Sequence, residues 1–131
     1  MPAESLRIYN LFPLLVGPIA CWRAELPRIA ALGFNAVFVN PFHYAGFSGS
    51  LYAVKDYYLL NPLFRGEAGD PDDALLAGFT DDCRRHGLMA MMDLVVNHTA
   101  RDSELVTRHP HWFARDPAGG CLLYTSPSPR D

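Results

Sequence analysis

The sequence predicts an α/β chain that forms the first three strands and two helices of a (β/α)8 TIM barrel. Three features point there. First, the order helix, glycine, apolar strand occurs twice, as Gly33-Phe34-Asn35-Ala36-Val37-Phe38-Val39 and as Gly87-Leu88-Met89-Ala90-Met91-Met92-Asp93. Strands alternating with helices imply parallel pairing. Second, polar residues collect where those strands end, at Asn40, Asp93, Asn97 and His98, and barrels place their working groups at that end. Third, Asn10–Pro18 holds one glycine and two prolines, whereas an open nucleotide-binding sheet needs a glycine-rich phosphate loop there.

Leu6–Phe12 reads as the first strand, ended by Pro13, and Pro13–Pro18 as a loop. Trp22–Leu32 reads as a helix with Leu26, Ile29, Ala30 and Leu32 near one face. Pro27 then falls in its first turn, where a missing N–H costs little, and Gly33 supplies a left-handed cap. Asn35–Asn40 is a second buried strand, stopped by Pro41. From Phe42 to Gly69 a long connection is expected, rich in aromatic residues and turn-prone at Gly46, Ser48, Gly49 and Ser50. A connection of this length in a compact domain is usually functional.

Asp70-Pro71-Asp72-Asp73 begins the second helix, with Asp70 as its cap and two carboxylates opposing the positive end of the helix dipole. Arg84, Arg85 and His86 suit the other end, and Gly87 closes it. Leu88–Met92 is an apolar run that reads as a strand buried on both faces. Asp93, Asn97 and His98 could not lie inside such a strand without a desolvation cost, so they belong at its open end. After His98, Asp102 reads as the cap of a short helix through Arg108, ended by Pro110.

Half of the 131 residues are hydrophobic, as in a globular domain. A net charge of −3 offers no electrostatic case for nucleic acid or an anionic membrane. Cys21 and Cys83 are far apart and form no metal or disulfide framework; both read as small core residues. Arg7 followed by Leu11–Ala20 has the outline of a short signal sequence, but Pro13, Gly17 and Pro18 interrupt it. No run reaches the roughly 18 apolar residues that a membrane span needs. A cytoplasmic protein is the expectation.

The polar strand ends carry a family resemblance. Asp93-Leu94-Val95-Val96-Asn97-His98 resembles the motif that closes the third barrel strand in the α-amylase family of glycoside hydrolases and transglycosylases. Ser50-Leu51-Tyr52-Ala53-Val54-Lys55-Asp56-Tyr57-Tyr58 resembles that family's Gly-Tyr-x-x-x-Asp-Tyr segment, with Leu51 standing where a glycine is usual. Gly33–Pro41 resembles its second strand. His109-Pro110-His111-Trp112-Phe113 is similar to the maltosyltransferase and trehalose-synthase branches. The string from Cys121 to Asp131 resembles the translation of a sequencing adapter and is expected to be a non-native tail. The expected organisation is therefore residues 1–98 as the N-terminal part of a catalytic barrel, 99–120 as the start of an insertion after the third strand, and 121–131 as the tail.

The resemblance implies an enzyme acting on α-1,4-linked glucose, with an α-glucan or maltosyl substrate. It implies that Tyr52 stacks on the sugar where the bond breaks, since an aromatic ring offers an apolar face to sugar C–H groups. It implies that His98 bonds a hydroxyl of that sugar, and that Asp93 and Asp56 hold pocket partners by charge-assisted bonds. Asn97 matches a position that in many relatives binds a structural calcium through its amide oxygen; no other cofactor is implied. The family retains anomeric configuration with two carboxylates about 5–5.5 Å apart, drawn from later barrel strands. No catalytic residue is therefore expected among these residues, and the chain is expected to be an inactive N-terminal fragment. Two alternatives remain open at this stage. One is a metal-dependent phosphoesterase using Asp93, Asn97 and His98, although Arg7, Tyr9 and Asn10 offer no ligand cluster in the first strand. The other is a sugar-binding relative without catalytic acids.

Overall fold

The computed structural model describes residues 4–117; the tail expected at 121–131 lies outside the described residues. Strand β1 (Ile8–Leu11) is followed by a short helix α1 (Pro13–Val16), helix α2 (Ile19–Ala31) and strand β2 (Ala36–Val39). Strands β3 (His43–Ala45) and β4 (Val54–Leu60), helices α3 (Pro62–Arg65) and α4 (Asp72–Arg85), and strand β5 (Met89–Met92) come next. The described part ends with helix α5 (Glu104–Arg108) and a 3-10 turn, Pro110–Trp112.

Strands β1, β2 and β5 form a parallel sheet with β2 in the centre. The register sets Ile8, Ala36 and Met89 in one row and Leu11, Val39 and Met92 in another, so the three strands end level. Side chains alternate across a strand. One face therefore carries Leu11, Val37 and Val39, which join Leu26, Ile29, Phe79 and Cys83 of the two long helices in a single core. Gly33 (φ +97°) and Gly87 (φ +69°) turn each helix into the next strand through left-handed backbone, which glycine adopts at little cost.

Trp22 anchors this core. It is fully buried, its ring lies 5.9, 5.6 and 5.5 Å from those of Phe42, Phe64 and Phe79, and its indole N–H donates to the Gly17 carbonyl at 2.7 Å. Those partners come from α4, α3 and the start of the β3–β4 segment, so one indole ties four parts of the chain together. On the surface, Arg23 of α2 pairs with Asp82 of α4 at 2.6 Å.

Several expectations are corrected. The strand at Leu88–Met92 is not buried on both faces: Met89 and Met92 are 56% and 46% exposed, because β5 is the outer strand of the sheet and has a neighbour on one side only. The expected loop from Phe42 to Gly69 contains an antiparallel hairpin, β3 with β4, and helix α3. Register shifts between His43 and Tyr44 and between Tyr44 and Ala45 break the two-residue alternation that would have revealed its strands. The expected Pro13–Pro18 loop holds α1, with Pro13 in its first turn. Helix α2 starts at Ile19, so Pro27 lies inside it and not in its first turn. Cys21 is exposed, while Cys83 is buried as expected. Asp70 does not cap α4: Pro71 precedes that helix, and Asp72 instead accepts from the Leu60 amide at 3.0 Å and pairs with Arg65. Ser103, not Asp102, caps α5.

Truncating the anchor should be severe. Trp22→Ala removes the centre of the aromatic cluster, and a loss of about 3–5 kcal/mol is expected. Urea unfolding followed by circular dichroism measures it; a loss below about 1 kcal/mol would show that the cluster does not hold the layers together.

Candidate functional site

The level strand ends define a rim. The Asp93 amide donates to the Val39 carbonyl at 2.9 Å, extending the β2–β5 ladder by one step and setting Asp93 beside the start of the chain that leaves β2. Asn40 follows Val39 directly. Its side-chain nitrogen donates to the Tyr52 hydroxyl at 3.0 Å, and its oxygen accepts from the Asn10 side chain at 2.7 Å. Residues from β1, from the end of β2 and from the loop before β4 thus meet at the C-terminal end of the parallel sheet. Asp93 stands at the same level.

The other expected site residues lie where the hairpin meets the chain that leaves β5. The Tyr57 hydroxyl donates to the Val95 carbonyl at 2.6 Å and to the His98 carbonyl at 3.3 Å. Its burial raises its pKa. Further along, the Ala100 amide donates to the Val54 carbonyl at 2.9 Å, and the Ser103 hydroxyl donates to the Lys55 carbonyl at 3.0 Å. Gly46 lies so close to Ala100 and Asp102 that a β-carbon there would clash with both. Strand β4 therefore fixes the path of residues 95–103, and with it the place of His98.

His98 is exposed, with its ring Nδ1 3.5 Å from the Asn97 side-chain nitrogen. Asp56 is half-buried within β4, and its carboxylate accepts from the Tyr58 amide two residues on, at 2.8 Å. That bond shapes its own strand; no basic partner for Asp56 is found among the described residues. Asn97 is exposed, and no three His, Cys, Asp or Glu side chains gather into a metal site among the described residues. Calcium takes about six to eight oxygens. Asn97 by itself would supply one amide oxygen of that shell.

Three contributors were not singled out from sequence. Asn10 and Tyr57 act through hydrogen bonds that span 30 and 38 residues; an amide in an otherwise apolar strand is the signal that could have found Asn10. His43 is the third. It is buried, stacked on Phe42 at 5.0 Å and tilted against Tyr57 at 5.6 Å, and its Nδ1 has no hydrogen-bond partner. Burial lowers its pKa from the ordinary value of 6.5, because the charged ring would lose its solvent. A recess lies at the opposite end of the sheet. It measures about 370 Å³ and is lined by Glu4, Leu6, Asn35, Arg84, Gly87, Leu88 and Met89, and none of the expected site residues faces it.

Known proteins resemble this chain over most of its length. Residues 1–113 match the profile described as glycogen debranching enzyme, glucanotransferase domain. A probable alpha-glucosidase of Rhizobium meliloti (strain 1021) is 37% identical over 114 residues, taking in 81% of this chain and 18% of that protein. An alpha-1,4-glucan:maltose-1-phosphate maltosyltransferase of Burkholderia pseudomallei (strain K96243) is 28% identical over 122 residues, taking in 93% of this chain and 11% of that protein. Among solved structures, an alpha-amylase from Lactobacillus plantarum superposes with a TM-score of 0.78 at 32% identity, over 93% of this chain and 30% of that chain. The chain spans less than a fifth of the length of these two curated relatives. No helix among the described residues is long and apolar enough to cross a membrane.

The buried imidazole gives a pH dependence with a definite sign. Its folded pKa lies below its unfolded one, so between the two values the unfolded chain binds the extra proton. Stability owed to this group is level above about pH 6.5, falls as the pH drops below that value, and levels off under the folded pKa. His43→Gln should flatten this slope. Urea midpoints at about pH 7.5 and 5.5, compared between wild type and variant, test it; equal pH differences in both would remove His43 as the cause.

Proposed function

The chain belongs to the α-amylase family of glycoside hydrolases and transglycosylases, and we propose that its rim is part of a pocket for α-1,4-linked glucose. The observation that carries this reading is the joining of Tyr52 to Asn40 at the end of β2, level with Asp93. A partly exposed aromatic ring held at a strand end offers an apolar face to a sugar, and a carboxylate at the next strand end offers acceptors to sugar hydroxyls. His98 contributes a further polar contact from the segment that Tyr57 holds, and Asp56 supports the strand between them.

The parent reaction is proposed to be retaining transfer or hydrolysis by double displacement. In this family the nucleophile and the acid/base stand on barrel strands later than the third, so neither role is assigned to Asp93 or Asp56. The three parallel strands are read as the first three of a TIM barrel. The segment from residue 99, which leaves the sheet and zips onto β4, is read as the start of an insertion. The residues present bind and orient; they do not complete a catalytic pair.

Isothermal titration of the 131-residue chain with maltotriose tests this reading. Weak binding is expected in the wild type, lost in Tyr52→Ala and reduced in Asp93→Asn, with no release of reducing ends from starch. Wild-type protein that takes up no maltotriose would overturn the pocket. Reducing-end release abolished by Asp93→Asn would overturn the assignment of Asp93 as a binding residue.

A further inference from the structure

The hydrogen bonds between the sheet and the rim form a string with a direction. Asn10 Nδ2 lies 3.2 Å from the Phe38 carbonyl and 2.7 Å from Asn40 Oδ1, and Asn40 Nδ2 lies 3.0 Å from the Tyr52 hydroxyl. The inner end fixes the sense. A backbone carbonyl only accepts, so Asn10 must turn its NH2 toward Phe38, its register partner in the ladder. The second hydrogen of that NH2 reaches Asn40, which must answer with its oxygen. The NH2 of Asn40 is then left facing Tyr52, whose oxygen must accept. A phenol has one proton, and here it finds no acceptor among the described residues. The ring is 42% exposed, so that proton is available to whatever occupies the rim.

We infer that Asn10 and Asn40 are positioning residues that hold the Tyr52 hydroxyl as a one-way hydrogen-bond donor to an acceptor oxygen of a bound saccharide. The saccharide in this statement rests on the glucan reading above; the direction of the string does not. Tyr52 thereby recognises its ligand twice, through the apolar face of its ring and through one acceptor oxygen at its tip. A ligand group that can only donate is disfavoured at that point, because two donors would face each other.

Two near-isosteric variants reverse the string. In Asn40→Asp, one carboxylate oxygen accepts from Asn10 and the other accepts the Tyr52 proton, which turns inward. In Asn10→Asp, the new side chain cannot donate, so Asn40 turns its NH2 toward it and shows its oxygen to Tyr52. The proton again turns inward, although Asn10 makes no direct hydrogen bond to Tyr52. Each variant should weaken maltotriose binding by about 3- to 10-fold, as should Tyr52→Phe. Combining either variant with Tyr52→Phe should add nothing, because all three remove the same outward donor.

The tyrosine Raman doublet reads the direction without ligand. Taken as a difference against Tyr52→Phe, it should report a phenol that accepts in the wild type and donates in both aspartate variants. A purely structural role would leave that signal unmoved and would make the affinity losses add. An unchanged doublet, additive losses, or full affinity in Asn10→Asp with folding intact would overturn the inference while leaving the glucan pocket standing. Wild-type protein that ignores maltotriose would instead sink the pocket, and the saccharide part of this inference with it; the doublet would still decide the direction.

Discussion

Parallel pairing of β2 with both of its neighbours is the constraint on which the rest depends. Its register sets Leu11, Val39 and Met92 in one row, so residues that are 30 and 53 positions distant from Asn10 or Asn40 in the chain arrive at one rim. A slip of one residue in either ladder would turn alternate side chains to the opposite face. Asn10 would then leave Asn40 and enter the helix-covered face, where an unpaired amide is costly. The packing that prevents the slip is the burial of Leu11, Val37 and Val39 against α2 and α4, with Trp22 filling the space behind them. The polar rim is thus specified by the apolar core on the other side of the same strands.

The hairpin of β3 and β4 acts as the second organiser. It buries His43 and half-buries Tyr57, and it supplies the carbonyls and hydroxyl that hold residues 95–103 in place. Close approach at Gly46 allows this chain to lie flat on the hairpin. The hairpin therefore links Tyr52, just before β4, to His98, after β5, through a scaffold that lies outside the helices packed on the sheet. At the open end of the hairpin, where His43 pairs with Leu60, the imidazole stacks on Phe42 and its buried Nδ1 has no hydrogen-bond partner.

Individual residues show why part of this was legible in advance. The glycine-to-strand transitions at Gly33 and Gly87 were readable because left-handed backbone and apolar runs are local properties. The placing of Asn40 and Asp93 at the strand ends was readable because polar groups are costly inside an apolar strand and belong where it ends. The hairpin was missed because its register shifts erase simple alternation. Asn10, Tyr57 and His43 were missed because their partners are remote in sequence: a tyrosine and a histidine in an aromatic stretch look alike whether they pack, stack or clamp a distant loop.

The amino-acid sequence by itself determined the order of the parallel strands and helices and the end of the sheet at which polar groups gather, since apolar periodicity and glycine turns are written locally; the family came from the resemblance of its motifs. Tertiary structure alone decided which of those groups touch, that β5 stands at an open edge, that Asp56 bonds its own strand, and that Tyr52 is oriented by two asparagines. Hydrogen-bond direction depends on which acceptor lies at the far end of a string, and that is known only once the chain has brought Asn10 beside Phe38.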